Sequence, residues 1–195
     1  MADFKLGLEF ILKHEGSKLF VDEKNNERSK YGITQKLLIQ MKYGITDPNN
    51  LQMADVENIY AQIFWGPDKL SEISSQLVAN KIFDMAVNMG SYVAIKLLQA
   101  SLNSIGGQCV IDGIMGPHTV IVVNSFLNSS QDSEERLLSE LVLKAISYYR
   151  SIAIGTKAQY LKGWLARAED IGTGVVDKQA FSTLRDGGKD KVIKG

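Results

Sequence analysis

Glu15 is the residue on which chemistry can be built. Phe4, Leu8, Ile11 and Leu12 recur at helical spacing and mark one apolar face. Glu15 follows Leu8 by two turns and Ile11 by about one, so it falls on that face. Gly16, directly after it, is a stop signal for the helix. Burial there disfavours the charged carboxylate, and the partial negative charge of a helix C-terminus repels an anion. Both effects are expected to raise the Glu15 pKa. A glutamic acid kept protonated near neutral pH is what a general acid needs when it gives a proton to a leaving oxygen. The plainer alternative is a solvated charge at a fraying helix end.

The elements that follow favour chemistry. Leu19-Phe20-Val21 reads as a short apolar strand. Lys24-Asn25-Asn26-Glu27 is turn chemistry, because Asn tolerates positive φ. Residues 28–33 pair back as a second strand, and Thr34 caps a helix that opens with Gln35 and Lys36. The order is therefore helix, carboxylate, hairpin, helix.

That layout is the layout of a lysozyme-like active site. The segment resembles the glycoside hydrolase family 108 lysozymes, N-acetylmuramidase-type proteins also described as secretion activators. The family motif runs Glu-Gly-Gly-Tyr, then Asn-Asp-Pro and glycines, then Thr-x-x-Gly-Ile-Thr. This chain has Glu15-Gly16 at the front and Ser29-Lys30-Tyr31-Gly32-Ile33-Thr34 at the back, with Ser29 in place of the first Thr. Ser17-Lys18 replaces Gly-Tyr, and Lys24-Asn25-Asn26-Glu27 replaces the Asp-Pro and Gly-Gly pieces. The family's Asp-x-Ala-Val-Asn-x-Gly stretch is matched by Asp84, Ala86, Val87, Asn88 and Gly90. Asp112-Gly113, Gly116-Pro117 and Thr119 resemble a signature of peptidoglycan-binding helical modules; physically it is a tight turn feeding a helix N-terminus.

The 195 residues carry a formal net charge of zero. That disfavours a nucleic-acid binder, which shows a clustered basic surface. The single cysteine, Cys109, excludes an internal disulfide and is most simply a small core residue. No apolar run is long enough to span a bilayer. No basic n-region with an apolar run opens the chain. The expectation is synthesis in the cytoplasm and action on the cell wall after holin-like or other non-classical export. Gly106-Gly107 has no Lys-Ser/Thr after it, so no phosphate loop is present. Gly-x-Ser-x-Gly is absent, and His118 has no partner at metal-ligand spacing.

Further along, residues 55–65 read as a helix ended by Gly66-Pro67. Trp65, at its end, is placed to reach a cleft and stack on a sugar. Ser74-Ser75 precede a helix that runs to Asn88 and is apolar on nearly all sides, so it should be the central buried one. Asp84 and Asn88 share one of its faces, either as a structural hydrogen-bonded pair or as substrate-holding groups. Asp132 with Glu135 reads as a capping box before a long helix.

The expected fold is mainly α (α+β), a lysozyme-like helical fold with a small β-hairpin near residues 19–33. Residues 1–90 would form the catalytic region, 91–172 a helical peptidoglycan-binding-like region packed on it, and 173–195 a mobile tail. The resemblance implies hydrolysis of the β-1,4 bond between N-acetylmuramic acid and N-acetylglucosamine, with peptidoglycan glycan strands as partner and no cofactor or metal. Glu15 would be the acid. Asp22, in competition with Glu23 or Glu27, or else a water held by Ser29 or Thr34, would serve the other face of the sugar. Ser29, Tyr31, Trp65, Asp84 and Asn88 would hold substrate. A wall-binding protein without turnover and a lytic transglycosylase are the two other readings.

Overall fold

The computed structural model describes residues 1–22 and 27–172. The turn at 23–26, with Glu23, and the expected tail at 173–195 lie outside the described residues.

Helix α1, Phe4–Glu15, is started by Asp3, whose carboxylate accepts from the Lys5 and Leu6 amides at 2.8 and 3.1 Å. Gly16 ends it at φ 69°, as the stop signal implies. Three short strands follow: β1, Phe20–Asp22; β2, Glu27–Lys30; and β3, Ile33–Thr34. They form one antiparallel sheet in that order. Phe20 pairs with Ser29, and Ser29 with Thr34. The expected hairpin is thus a three-stranded sheet with one more turn, at Tyr31-Gly32. Thr34 caps α2, Gln35–Met41, by accepting from the Leu37 amide at 3.1 Å.

Helix α3, Met53–Tyr60, does not run on to residue 65 as expected. It passes into a π turn over Ala61–Trp65, closed by a Gly66 N–H to Ala61 C=O bond of 2.9 Å. Helix α4, Gln76–Met89, is the central helix that its composition implies. Ser75 caps it, and every residue from Val78 to Ala86 is buried. It packs on α1, on α5 (Ser91–Ser104) and on α7 (Ser133–Ile152). Helix α6, Pro117–Leu127, begins with Pro at its first turn. The Asp112-Gly113 turn before it is clamped by the buried Gln99 of α5. The Gln99 amide donates to Asp112 Oδ1 at 2.8 Å and accepts from the Gly113 N–H at 2.9 Å. Helix α8, Leu161–Glu169, packs against α7.

The Asp132–Glu135 capping box does not form, because the Asp132 carboxylate instead takes the Ser130 hydroxyl. One apolar core runs through both halves, from Leu8 and Ile11 through Phe83 to Leu141 and Tyr149. Aromatic edges fill its N-terminal side: Phe83 meets Trp65 at 5.4 Å and Tyr60 at 5.8 Å.

Candidate active site

Three elements converge on Glu15: the end of α1, the Tyr31-Gly32 turn, and α8. The Glu15 side chain keeps 15% of its exposure, so it is sheltered yet reachable. Tyr31 and Gly32 both adopt the left-handed region, at φ 54° and 70°. The Tyr60 hydroxyl donates to the Tyr31 carbonyl at 2.8 Å and pins the turn. Gly32 fits because it has no Cβ. A Cβ there would land on the Glu15 carboxylate at Oε2 and lie 2.9 Å from the Tyr60 hydroxyl oxygen. The Gly in Ser29-Lys30-Tyr31-Gly32-Ile33-Thr34 is therefore required twice, by its backbone angle and by the carboxylate beside it.

On its other side Glu15 meets a guanidinium. Arg167 Nη2 of α8 lies 2.7 Å from Glu15 Oε1, and Arg167 Nε donates to Asp84 Oδ1, also at 2.7 Å. The second Asp84 oxygen is 3.6 Å from Lys81 Nζ. Lys81 is wholly buried and donates to the Arg167 and Asp170 carbonyls at 3.1 and 2.9 Å. Burial works against the charge on Arg167, but Asp84 and Glu15 outweigh it and hold its pKa above the usual value. Burial pulls Lys81 below the usual lysine range, against the attraction of Asp84 and Asp170. His14 Nε2 sits 3.2 Å from Asp170 Oδ2, a second tie between α1 and the end of α8.

Two readings from the sequence are corrected. Asp84 is 1% exposed with both oxygens on cations, so it supports Arg167 and does not line a cleft. Trp65 is 5% exposed and turned inward. It lies edge-on to Phe4 and Phe83 and against Gly7, so it offers no face to a sugar. Glu15, expected on the apolar face of its helix, is paired there with Arg167.

Other residues stand as follows. Asp22 ends β1, opposite Glu27 in the register. Glu27 Oε1 accepts from the Lys36 amide at 3.3 Å, at the start of α2. Ser29 and Thr34 are cross-strand partners, both half-buried, and Phe20 joins their row as Ser29's other neighbour, 64% exposed. Tyr31 is half-buried with its carbonyl on Tyr60. Asn88 donates to the Tyr149 hydroxyl at 2.5 Å, not to Asp84. Tyr149 stacks on Trp164 at 5.5 Å, with Tyr160 beyond it.

Comparison with known families matches residues 8–90 to "Glycosyl hydrolase 108" and residues 93–169 to "Predicted Peptidoglycan domain". The two matches follow one another along the chain without overlap. Glu15, Gly32 and Asp84 all fall in the glycosyl hydrolase 108 region, and Arg167 falls in the other. No curated protein matches the chain. Among solved structures, SagA of Brucella abortus is similar over 97% of this chain and 98% of its own, at 18% identity and a TM-score of 0.68. The mainly helical fold with its small sheet is lysozyme-like. The glycosyl hydrolase 108 and peptidoglycan regions together support a hydrolase directed at peptidoglycan. Among the described residues no cluster of His, Cys, Asp and Glu could hold a metal, and no helix is long and apolar enough to cross a membrane.

Gly32→Ala is expected to lose about 1–2 kcal/mol of stability from the left-handed backbone alone and to push Glu15 off Arg167. Urea unfolding measures the first effect and a peptidoglycan turnover assay the second. A pH prediction follows from the tyrosines. Burial raises the Tyr149 pKa to about 12 and pushes Tyr60 higher still. Unfolded tyrosine ionises near pH 10. The folded state therefore binds more protons above that pH, and stability held below pH 10 is lost as pH rises toward 12. Urea midpoints between pH 9 and 12 should fall less steeply for Tyr149→Phe than for the wild type.

Proposed function

We propose that the chain is an N-acetylmuramidase that cleaves the β-1,4 bond between N-acetylmuramic acid and N-acetylglucosamine of peptidoglycan. The observation that carries this reading is the setting of Glu15. It is the half-sheltered carboxylate at the end of α1, within the region that matches glycosyl hydrolase 108. Arg167 holds Oε1, which leaves Oε2, beside Gly32, to carry the proton given to the leaving oxygen.

The opposite face of the sugar is assigned to Asp22, or to a water held by Ser29 and Thr34. Asp84 is ruled out of this role by its burial and its two cations. The carboxylate separation would decide the outcome, with about 5–5.5 Å for retention and about 6.5–9.5 Å for inversion. Tyr31 and Asn88 are assigned to holding substrate. The Phe20 ring, exposed in the same row as Ser29 and Thr34, adds an apolar surface beside them.

Digestion of purified peptidoglycan by the wild type and by Glu15→Gln, with products read by mass spectrometry, tests the reading. Gln keeps the size and cannot donate the proton. Reducing muramic ends from the wild type, with turnover down at least about 10²-fold in the variant, are expected. Anhydro-muramic products would replace the muramidase with a lytic transglycosylase. Binding without turnover by both proteins would leave a wall-binding module.

A further inference from the structure

Arg167 does not belong to the region that supplies Glu15. It lies on α8, in the stretch matched as a peptidoglycan domain. Its planar guanidinium bridges two carboxylates, with Nη2 on Glu15 and Nε on Asp84, each at 2.7 Å. The Nε contact with Asp84 is a hydrogen bond, which fixes the plane of the guanidinium, and the Nη2 contact with Glu15 is a close charge pair without hydrogen-bond geometry. Lys81 then fixes the helix that carries it, by capping the carbonyls of Arg167 and Asp170 at the end of α8. Every link is buried or half-buried: Lys81 at 0%, Asp84 at 2% and Arg167 at 15% side-chain exposure. His14, one residue before Glu15, lies at the same end of α8, its Nε2 3.2 Å from Asp170 Oδ2.

Glu15 ends its helix, and Gly16 after it has nothing within 4 Å of a built Cβ. Gly32 bounds Oε2 on one side only. On its other side, at Oε1, the carboxylate meets Arg167. We infer that Arg167 is a positioning residue for Glu15, so that the peptidoglycan domain region completes the glycosidase site and is not an accessory for wall binding alone. This rests on Glu15 being the general acid. It assigns α8 a part in the chemical step, and it makes residues 8–90 an incomplete enzyme by themselves.

The test uses the full chain with Arg167→Met, Arg167→Lys and Glu15→Gln. Folding is followed by circular dichroism, wall binding by pelleting, and kcat and KM by release of soluble fragments across pH. The expected result for Arg167→Met is a fall in kcat of about 10- to 100-fold, with wall binding and KM held. Arg167→Lys should restore part of kcat. Should Arg167→Met fail to fold, the same readings are taken on Asp84→Asn with Arg167→Gln, which removes the buried anion together with its partner. An unchanged kcat in a folded variant would overturn the inference. So would a loss confined to KM or to pelleting, since that would make α8 a binding element only. Wild-type turnover by Glu15→Gln would instead overturn the reading of Glu15 as the acid, and the two failures are thereby told apart.

Discussion

Lys81 is wholly buried, and a buried ammonium is tolerated only where its protons are taken up. Its acceptors come from two places. Asp84 is one turn on along the same helix, and the Arg167 and Asp170 carbonyls close α8 more than eighty residues later. Removing one partner of such a buried group costs about 3–5 kcal/mol. The requirement therefore reaches across the chain. Once Lys81 holds the end of α8 and Asp84 turns Arg167, the guanidinium has one free edge, and Glu15 occupies it. Three charged links carry position from the centre of the core to the mouth of the site.

The opposite wall of the site is set by a different force. Tyr60 sits in the aromatic packing around Phe83, and its hydroxyl reaches out of that core to the Tyr31 carbonyl. The turn it pins brings Gly32 against Glu15. Apolar packing fixes one side of the carboxylate and buried charge the other. Neither side is built on a loop alone, which suits a group that must hold its geometry through a reaction.

Much of the architecture was legible in the sequence because it follows local rules. The stop at Gly16, the caps at Thr34 and Ser75, the central helix and the Asp112-Gly113 turn are each set by a few adjacent residues. The place of Glu15 at the end of α1 was legible for the same reason. Trp65 was misread because it was taken to end a plain helix, whereas the chain passes into a π turn over Ala61–Trp65 and the ring turns inward. Asp84 was misread because its partner Arg167 is 83 residues away. Lys81 left a readable trace: a lysine inside the apolar run from Val78 to Ala86 must find acceptors somewhere. Nothing local says that those acceptors close α8, and so the coupling of the two regions could not be read from spacing.

The central claim is that the two regions form one structural and catalytic unit. The chain's two tryptophans report one region each, Trp65 beside α1 and Trp164 on α8. In Trp164→Phe the fluorescence follows the first region, and in Trp65→Phe it follows the second, while far-ultraviolet circular dichroism follows all the helices. Urea unfolding of each variant, read by both signals, is the most direct measurement. The account predicts that fluorescence and dichroism transitions coincide in both variants, as for a single cooperative unit. Fluorescence midpoints displaced from dichroism in opposite directions would show two independently folding regions and contradict it.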